Sequence, residues 1–177
     1  MIDVRTAHTS ELEPSVLAGA RRLLEVVFDG ELTEHDWEHA LGGIHALASE
    51  DGELIGHASV VQRRLLHGGR ALRTGYVEGV GVRPDRRRRG VGGALMRPLE
   101  GVVRGAYDLG ALASSDAGLP FYAARGWRPW RGRLSALTPR GIEATPDEEG
   151  CVFVLPVSVP LDLYGRLTCD WRDADVW

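Results

Sequence analysis

The sequence predicts a mixed α/β fold: one mostly antiparallel central sheet flanked by helices, in a single domain over residues 1–177. Three observations carry this expectation. Two tight-turn pairs, Asp51-Gly52 and Gly68-Gly69, divide three long apolar runs into an antiparallel meander. Amphipathic helical patterns stand before and after that meander. With 177 residues, 44% of them hydrophobic, the chain can bury one sizeable core and is short for two.

The elements follow in order. Ile2, Val4 and Ala7 predict a short first strand. Apolar residues at Val16, Leu17, Leu23, Leu24, Val27 and Phe28 predict an amphipathic helix over Pro14 to Phe28. Thr33, with Asp36 three residues on, is a plausible N-cap for a second helix through Leu41, which Gly42-Gly43 ends. Ile44 to Ser49 and Leu54 to Leu66 form a hairpin, and Arg70 to Val82 is the third strand of the meander. After Gly90, the residues Val91, Ala94, Leu95, Leu99, Val102 and Val103 mark one face of a helix. Pro98 should kink it, because proline removes the bond to Ala94. Further strands are expected at Leu109 to Ala113, Trp127 to Trp130, Leu134 to Leu137 and Cys151 to Val157. A short helix at Leu119 to Arg125 is stopped by Gly126. Pro139 to Gly150 reads as a loop with an acidic end, and the last twenty residues show little periodicity.

Bulk properties narrow the function. The net charge is −4, which argues against a nucleic-acid binder. All 21 basic residues are arginine, so no lysine nucleophile or Schiff base exists. Cys151 and Cys169 form no CxxC and read as free thiols, with a single disulfide as the alternative. No signal peptide precedes residue 30 and no apolar run nears a membrane span, so a cytoplasmic protein without membrane partners is expected.

The chemistry concentrates at Gly75-Tyr-Val-Glu-Gly-Val-Gly-Val82 and the following Arg87-x-x-Gly90-x-Gly92. Glycines 75, 79 and 81 interrupt a strand and predict a bulge that leaves backbone groups unpaired. The arginine cluster then opens a helix. Its first N–H groups lack internal partners and sit at the positive end of the helix dipole, a seat for phosphate. The alternative is a solvated basic loop with two capping glycines. No Gly-Lys-Ser/Thr is present, so a nucleotide-hydrolysing P-loop is not supported.

These residues, with Phe121-Tyr-Ala-Ala-Arg-Gly-Trp127, resemble the GCN5-related N-acetyltransferases (GNAT). A narrower likeness runs through nearly the whole chain. Asp36-Trp-Glu-His39, Leu41-Gly-Gly43, His45-Ala-Leu47, Gln62-Arg-Arg-Leu65, Gly75-Tyr-Val-Glu-Gly-Val80, Arg104-Gly-Ala-Tyr107, Val152-Phe-Val-Leu-Pro156, Cys169-Asp-Trp-Arg172 and Asp175-Val-Trp177 resemble the aminoglycoside 2'-N-acetyltransferases of actinobacteria.

The resemblance implies a splayed strand pair that binds acetyl-CoA. Backbone of Val80, Gly81 and Val82 would hold the pantetheine and acetyl carbonyl. Backbone of Arg87, Arg88, Arg89, Gly90, Val91 and Gly92 would hold the pyrophosphate. Tyr122 falls where the family places the acid for the leaving thiolate; on sequence alone it reads as an aromatic core residue. Glu78 would be the base, acting on an ammonium through water, or a surface-facing alternate if the likeness were ignored. The carboxylate of Trp177 is the other proton acceptor implied, with Trp171 and Trp177 pinning the tail. Matched to the family, Glu31, Glu78, Gly79, Asp147 and Glu148 fall at substrate-contact positions, and Asp36, Ser114, Asp175 and Trp177 complete the expected contact set; the alternative for the acidic loop residues is solvated charge. Glu31 and Glu148 stand where relatives carry aspartate, and Ala113 replaces a serine for which Ser114 could compensate; both bear on drug preference. The implied partner is a small aminoglycoside, without nucleic acid, and homodimers are common in the family.

Three other readings compete. The acceptor could be another polyamine or a cell-envelope amine. Arg86 to Arg89 could contact RNA in a non-enzymatic module. His35-Asp-Trp-Glu-His39 spells H-x-x-E-H, but no third metal ligand stands out, and no metal is expected.

Overall fold

A computed structural model describes residues 1–177, the Asp116 side chain excepted. The chain divides into two compact units. Met1–Val61 with Val77–Val102 make the first, and Gln62–Tyr76 with Val103–Trp177 the second. Strands β3 (Glu53–His67) and β4 (Arg70–Val82), and helix α3 (Val91–Ala106), contribute residues to both.

The first unit contains β1 (Ile2–His8), α1 (Pro14–Val27), α2 (Glu34–His39) and β2 (Ile44–Glu50). β1 pairs antiparallel with β2 over its full length, and β2 pairs antiparallel with β3. The β2–β3 connection has positive φ at Asp51 (53°) and Gly52 (82°), the backbone of a two-residue turn that matches strand twist. α1 buries Ala20, Leu23 and Leu24 against Leu12, Trp37, Ala40 and Leu47, with Val16, Leu17 and Val27 partly buried beside them; Phe28, predicted on the same face, is instead the exposed C-cap. α2 begins at a capping box. Asp36 N–H donates to Thr33 Oγ1, and Asp36 Oδ2 accepts from Thr33 N–H at 2.8 Å. It ends at His39 rather than Leu41, with Ala40 as its C-cap.

The second unit contains β5 (Leu109–Ala113), α4 (Leu119–Ala123), β6 (Arg128–Pro129), β7 (Leu134–Thr138), β8 (Gly141–Ala144), β9 (Val152–Pro156) and β10 (Leu167–Cys169). Its strand order is β6-β9-β5-β4-β3-β10-β7-β8. The ladder is mostly antiparallel, with parallel pairs at β4–β5 and β10–β7. The parallel β4–β5 ladder runs only from Thr74↔Leu109 to Tyr76↔Ala111. β4 continues well past that point, to Val82, as expected of a strand that leaves its neighbour.

Three expectations need correction. Pro139–Gly150 is not all loop, because Thr138 pairs with Gly141 across Pro139-Arg140 and β8 follows. β8 alternates half-buried and exposed residues over only four positions, too short for a periodic signal. β10 is three buried residues, Leu167-Thr-Cys169, in the stretch that lacked periodicity. The predicted strand at Trp127 to Trp130 contracts to Arg128–Pro129, while both indoles are buried. Helix α3 continues through Pro98 to Ala106. Both cysteines are free thiols, Cys169 fully buried.

Candidate active site

In the first unit the site residues lie on the end of β4 and the start of α3. Arg83 N–H donates to Ile55 O at 2.9 Å and closes the strand. A single turn over Pro84–Arg86 follows. Arg88 (φ 59°) and Gly90 (φ 82°) then take left-handed backbone conformations that swing the chain into α3. The left-handed region suits glycine, and a Cβ placed on Gly90 would meet nothing within 4 Å, so one face of this turn is open. The α3 ladder begins with Ala94 N–H to Gly90 O at 3.0 Å. The N–H groups of Val91, Gly92 and Gly93 precede it, at the positive end of a 16-residue helix.

The arginines here brace the loop. Arg86 Nε donates to Glu50 Oε2 at 2.8 Å, and Arg89 grips both Glu50 oxygens at 3.1 and 2.9 Å. These guanidiniums, Arg89 foremost, hold the Glu50 carboxyl below the usual range. Arg83 binds Asp85 through two bonds of 2.8 Å and Glu53 at 2.9 Å. Arg87 Nε donates to Val82 O at 3.2 Å. Arg88 is exposed. The seat therefore offers main-chain donors, with the Arg87 and Arg89 side chains turned to structural work.

The predicted bulge is centred on Gly79, whose φ of 56° is foreign to a strand. Here two carbonyls accept from side chains of β3. Ser59 Oγ donates to Glu78 O at 3.4 Å, and His57 Nδ1 donates to Gly79 O at 2.8 Å. A Cβ on Gly79 would come within 3.1 Å of Leu24 Cδ1 and 3.4 Å of the His57 ring. Glu78, Gly79 and Val80 are half-buried, Gly81 is buried, and Val82 is half-buried at the strand end. Glu31 is exposed beyond α1. Asp36 does not stand as a free carboxylate: one of its oxygens takes both the Thr33 N–H and the Thr33 hydroxyl at 2.8 Å. Its place is explained by helix capping.

In the second unit, Tyr122 is 7% exposed and packed among Phe121, Trp127 and Phe153. Burial pushes its phenol up to about 12. Ser114 donates its hydroxyl to Ser115 O at 2.9 Å. Glu148 is half-buried, and its carboxyl is raised first by burial and then by Asp175 and Asp147. Asp147 and Asp175 thus lie close enough to Glu148 to disfavour its charge.

The chain's last residues are held firmly. Trp177 is 2% exposed, its indole N–H donates to Thr145 Oγ1 at 2.9 Å, and its backbone N–H donates to Asp175 Oδ1 at 3.0 Å. Arg172 donates to Asp175 O at 2.8 Å and to the Trp177 main-chain oxygen at 2.7 Å. Trp171, expected to help pin this tail, is 48% exposed. The buried Arg63 takes that role, donating to Asp170 Oδ1 at 2.7 Å, Asp170 O at 3.0 Å and Val176 O at 2.7 Å. Arg63 and Arg172 also lie over the Tyr76 ring, at 4.6 and 5.5 Å from its centroid. Arg63 and His57 were not among the predicted site residues. The signal for Arg63 was present: strand alternation puts it on the face of buried Leu65, between exposed Gln62 and Arg64. His57 lies in an unbroken buried run, where alternation has nothing to say.

In the H-x-x-E-H segment, His35 Nδ1 faces Glu38 at 3.4 Å, an exposed helix-surface pair. Among the described residues no helix is long and apolar enough to cross a membrane.

Comparison with known proteins adds three findings. Residues 8–130 match the model of the acetyltransferase (GNAT) domain. The chain is 51% identical to an aminoglycoside 2'-N-acetyltransferase of Mycolicibacterium fortuitum, over 98% of this chain and 91% of that one. Among solved structures it is similar in fold to a GNAT family acetyltransferase of Brucella melitensis in complex with acetyl-CoA (TM-score 0.64, 20% identity, 94% of each chain). It is also similar to Eis1 of Mycobacterium abscessus (TM-score 0.62, 24% identity), over 76% of this chain and 32% of that longer one.

Proposed function

This chain belongs to the GNAT family of acetyltransferases, and from that premise we propose that it transfers an acetyl group from acetyl-CoA to the 2'-amine of aminoglycosides, by direct attack in a ternary complex. The observation that carries the reading is the 51% identity over 98% of the chain to an aminoglycoside 2'-N-acetyltransferase.

The residues fit a thioester donor with a phosphorylated handle. Main-chain N–H groups at the start of α3, open at Gly90, suit the pyrophosphate. Acetyl-CoA supplies an activated acyl group; the rest falls to this chain. The Val80 N–H would donate to the acetyl oxygen as negative charge grows there. Glu78 would take a proton so that the attacking amine is neutral. Tyr122 stays protonated at neutral pH, because its phenol titrates near 12. Full proton transfer from it to a thiolate of pKa near roughly 8.5 is uphill. Its role is therefore to hydrogen-bond the leaving sulfur. Asp147, Glu148 and Asp175 would hold ammonium groups of a polycation, and cation binding would relieve the repulsion that raises Glu148. Glu31, Gly79 and Ser114 remain proposed contacts; Asp36 is the weakest, being committed to its cap. Glu78 and the Trp177 carboxylate, one oxygen of which accepts from Arg172, are the two proposed proton acceptors.

The same reading carries one catalytic domain over residues 1–177, a cytoplasmic enzyme and a homodimer, the last tested by gel filtration of the purified protein. The decisive assay compares 2'-amino aminoglycosides with their 2'-hydroxy analogues as acetyl acceptors. Turnover of the amino compounds alone supports the proposal. Equal turnover of both overturns the regiochemistry, and turnover of another polyamine alone favours that acceptor class.

A further inference from the structure

Beneath the Gly79 bulge lies a buried chain of side chains that the reaction as proposed does not use. His45 and His57 are both fully buried, on adjacent strands β2 and β3. Thr9 Oγ1 is 2.8 Å from His45 Nε2, His45 Nδ1 is 2.9 Å from His57 Nε2, and His57 Nδ1 is 2.8 Å from Gly79 O. The Gly42 N–H donates to Thr9 Oγ1 at 2.8 Å.

Donor and acceptor arithmetic leaves one assignment. A carbonyl only accepts, so His57 carries its proton on Nδ1, and a neutral His57 must accept at Nε2. That makes His45 the donor at Nδ1, hence an acceptor at Nε2, which the Thr9 hydroxyl satisfies. Every ring nitrogen of the pair is matched, and every proton points toward Gly79. A proton added to His57 would set N–H against N–H at the 2.9 Å contact with His45. Burial also drives both imidazoles down to about 4, against an ordinary value near 6.5.

We propose that His57, oriented by His45 and Thr9, is a positioning residue for acyl transfer: its Nδ1–H fixes the Gly79 carbonyl in the bulge and thereby aims the flanking Glu78 side chain and Val80 N–H. This rests on the acetyltransferase reading above. Glycine at 79 permits the bulge but does not choose it, because a residue without a side chain is free on both sides of φ. A buried donor chooses it, since an unmatched buried carbonyl is costly. The device is neutral in this assignment, so the bulge needs no cation beside the reacting acyl group. It extends to Thr9, whose oxygen accepts from the Gly42 N–H while its one proton goes to His45.

The test uses four variants of the full chain. His57→Asn puts an amide N–H near the Nδ1 position, and His57→Phe keeps the ring without a donor. Thr9→Val removes the hydroxyl that sets the His45 tautomer, and Thr9→Ser keeps it. Because Thr9 is half-buried at the rim, its variants remain folded if the buried ones do not. Readouts are kcat and KM for acetyl-CoA, CoA affinity by calorimetry, and imidazole nitrogen NMR. Misplacing one oxyanion donor costs up to about 10²–10³ in kcat. His57→Phe and Thr9→Val should lower kcat at least ~10-fold, with CoA affinity changed far less, and His57→Asn and Thr9→Ser should restore most of it. In the wild type both imidazoles should show protonated Nδ1 and bare Nε2 at neutral pH. Unchanged kcat in Thr9→Val and His57→Phe overturns the proposal, as does protonated Nε2 on either ring. If the wild type acetylates no aminoglycoside, that reading fails, while the NMR still decides this one: protonated Nε2 on either ring overturns it.

Discussion

Two buried clamps in this molecule do the same mechanical task with opposite chemistry. In the first unit a neutral histidine pair holds the Gly79 carbonyl. In the second a buried guanidinium, Arg63, holds the Val176 carbonyl. Both fix backbone next to residues proposed to act on substrate. The difference lies in what lies nearby. On the proposed mechanism the bulge presents an N–H to an acyl oxygen and a carboxylate to an ammonium, where a fixed cation beneath would blunt Glu78. The tail lies beside Asp170, Asp175 and Glu148, where a permanent cation is compatible with its surroundings. A neutral clamp is sensitive to protons, and a guanidinium is not.

The largest expected effect addresses the first unit's side of this comparison. Glu78→Gln should lower kcat by about 10²–10⁴ and flatten the acid limb of its pH profile. An unchanged acid limb would remove Glu78 as the base and leave the neutral clamp without its stated purpose. Next comes the charged clamp. Arg63→Met leaves Asp170 without its guanidinium and Val176 O without its donor. Urea unfolding should show a loss of about 2–3 kcal/mol, below the full cost of breaking a buried pair because Asp170 is 38% exposed. Arg63→Lys should not restore it, because one ammonium cannot replace the fork.

A smaller effect separates the two clamps directly. The folded pKa of His45 and His57 is depressed to about 4, so the unfolded chain binds more protons below about 6.5. Their contribution to stability is therefore complete above that pH and falls away as pH drops toward 4, by up to ~1.4 kcal/mol per pH unit for each proton. The groups facing the pair include Thr9, Trp37 and the Gly79 carbonyl, and His8, whose charge further disfavours a proton on His45. Glu148, raised rather than lowered, acts in the opposite sense. The comparison is thus wild type against His57→Asn, by urea unfolding at pH 7, 6 and 5. The slope should shrink in the variant and persist in Arg63→Met. Equal slopes in all three would erase the distinction drawn above. Smallest is Thr33→Ala, which opens the α2 capping box at a cost of about 1 kcal/mol and should leave kcat alone. A matching fall in kcat would mean that general stability, not the clamp, governs turnover.

Much of this was legible in the sequence because it follows from local rules. The meander turns, the α1 stripe, the Thr33 cap and the glycine-broken strand depend on residues close in the chain. The glycine turn that opens α3 was legible for the same reason, although Arg86 and Arg89 brace Glu50 of β2, a contact no spacing identifies. What escaped depends on long-range pairing. β10 is held by strands β3 and β7, far away in sequence. Trp171 and Trp177 looked equivalent, yet only Trp177 finds a buried place with Thr145 as partner. His57 and His45 carry no local signal of their contact, since a tautomer chain appears only once strand register sets Leu47 opposite His57 and His45 opposite Ser59.

The central claim is acetyl transfer to a defined amine, and the position of the acetyl group in the product tests it most directly. The purified enzyme is given acetyl-CoA and an aminoglycoside that carries several primary amines, the 2' one included. Product NMR should place a single acetyl group on the 2' nitrogen. Acetylation at another nitrogen, or no acetylated product, would contradict the account.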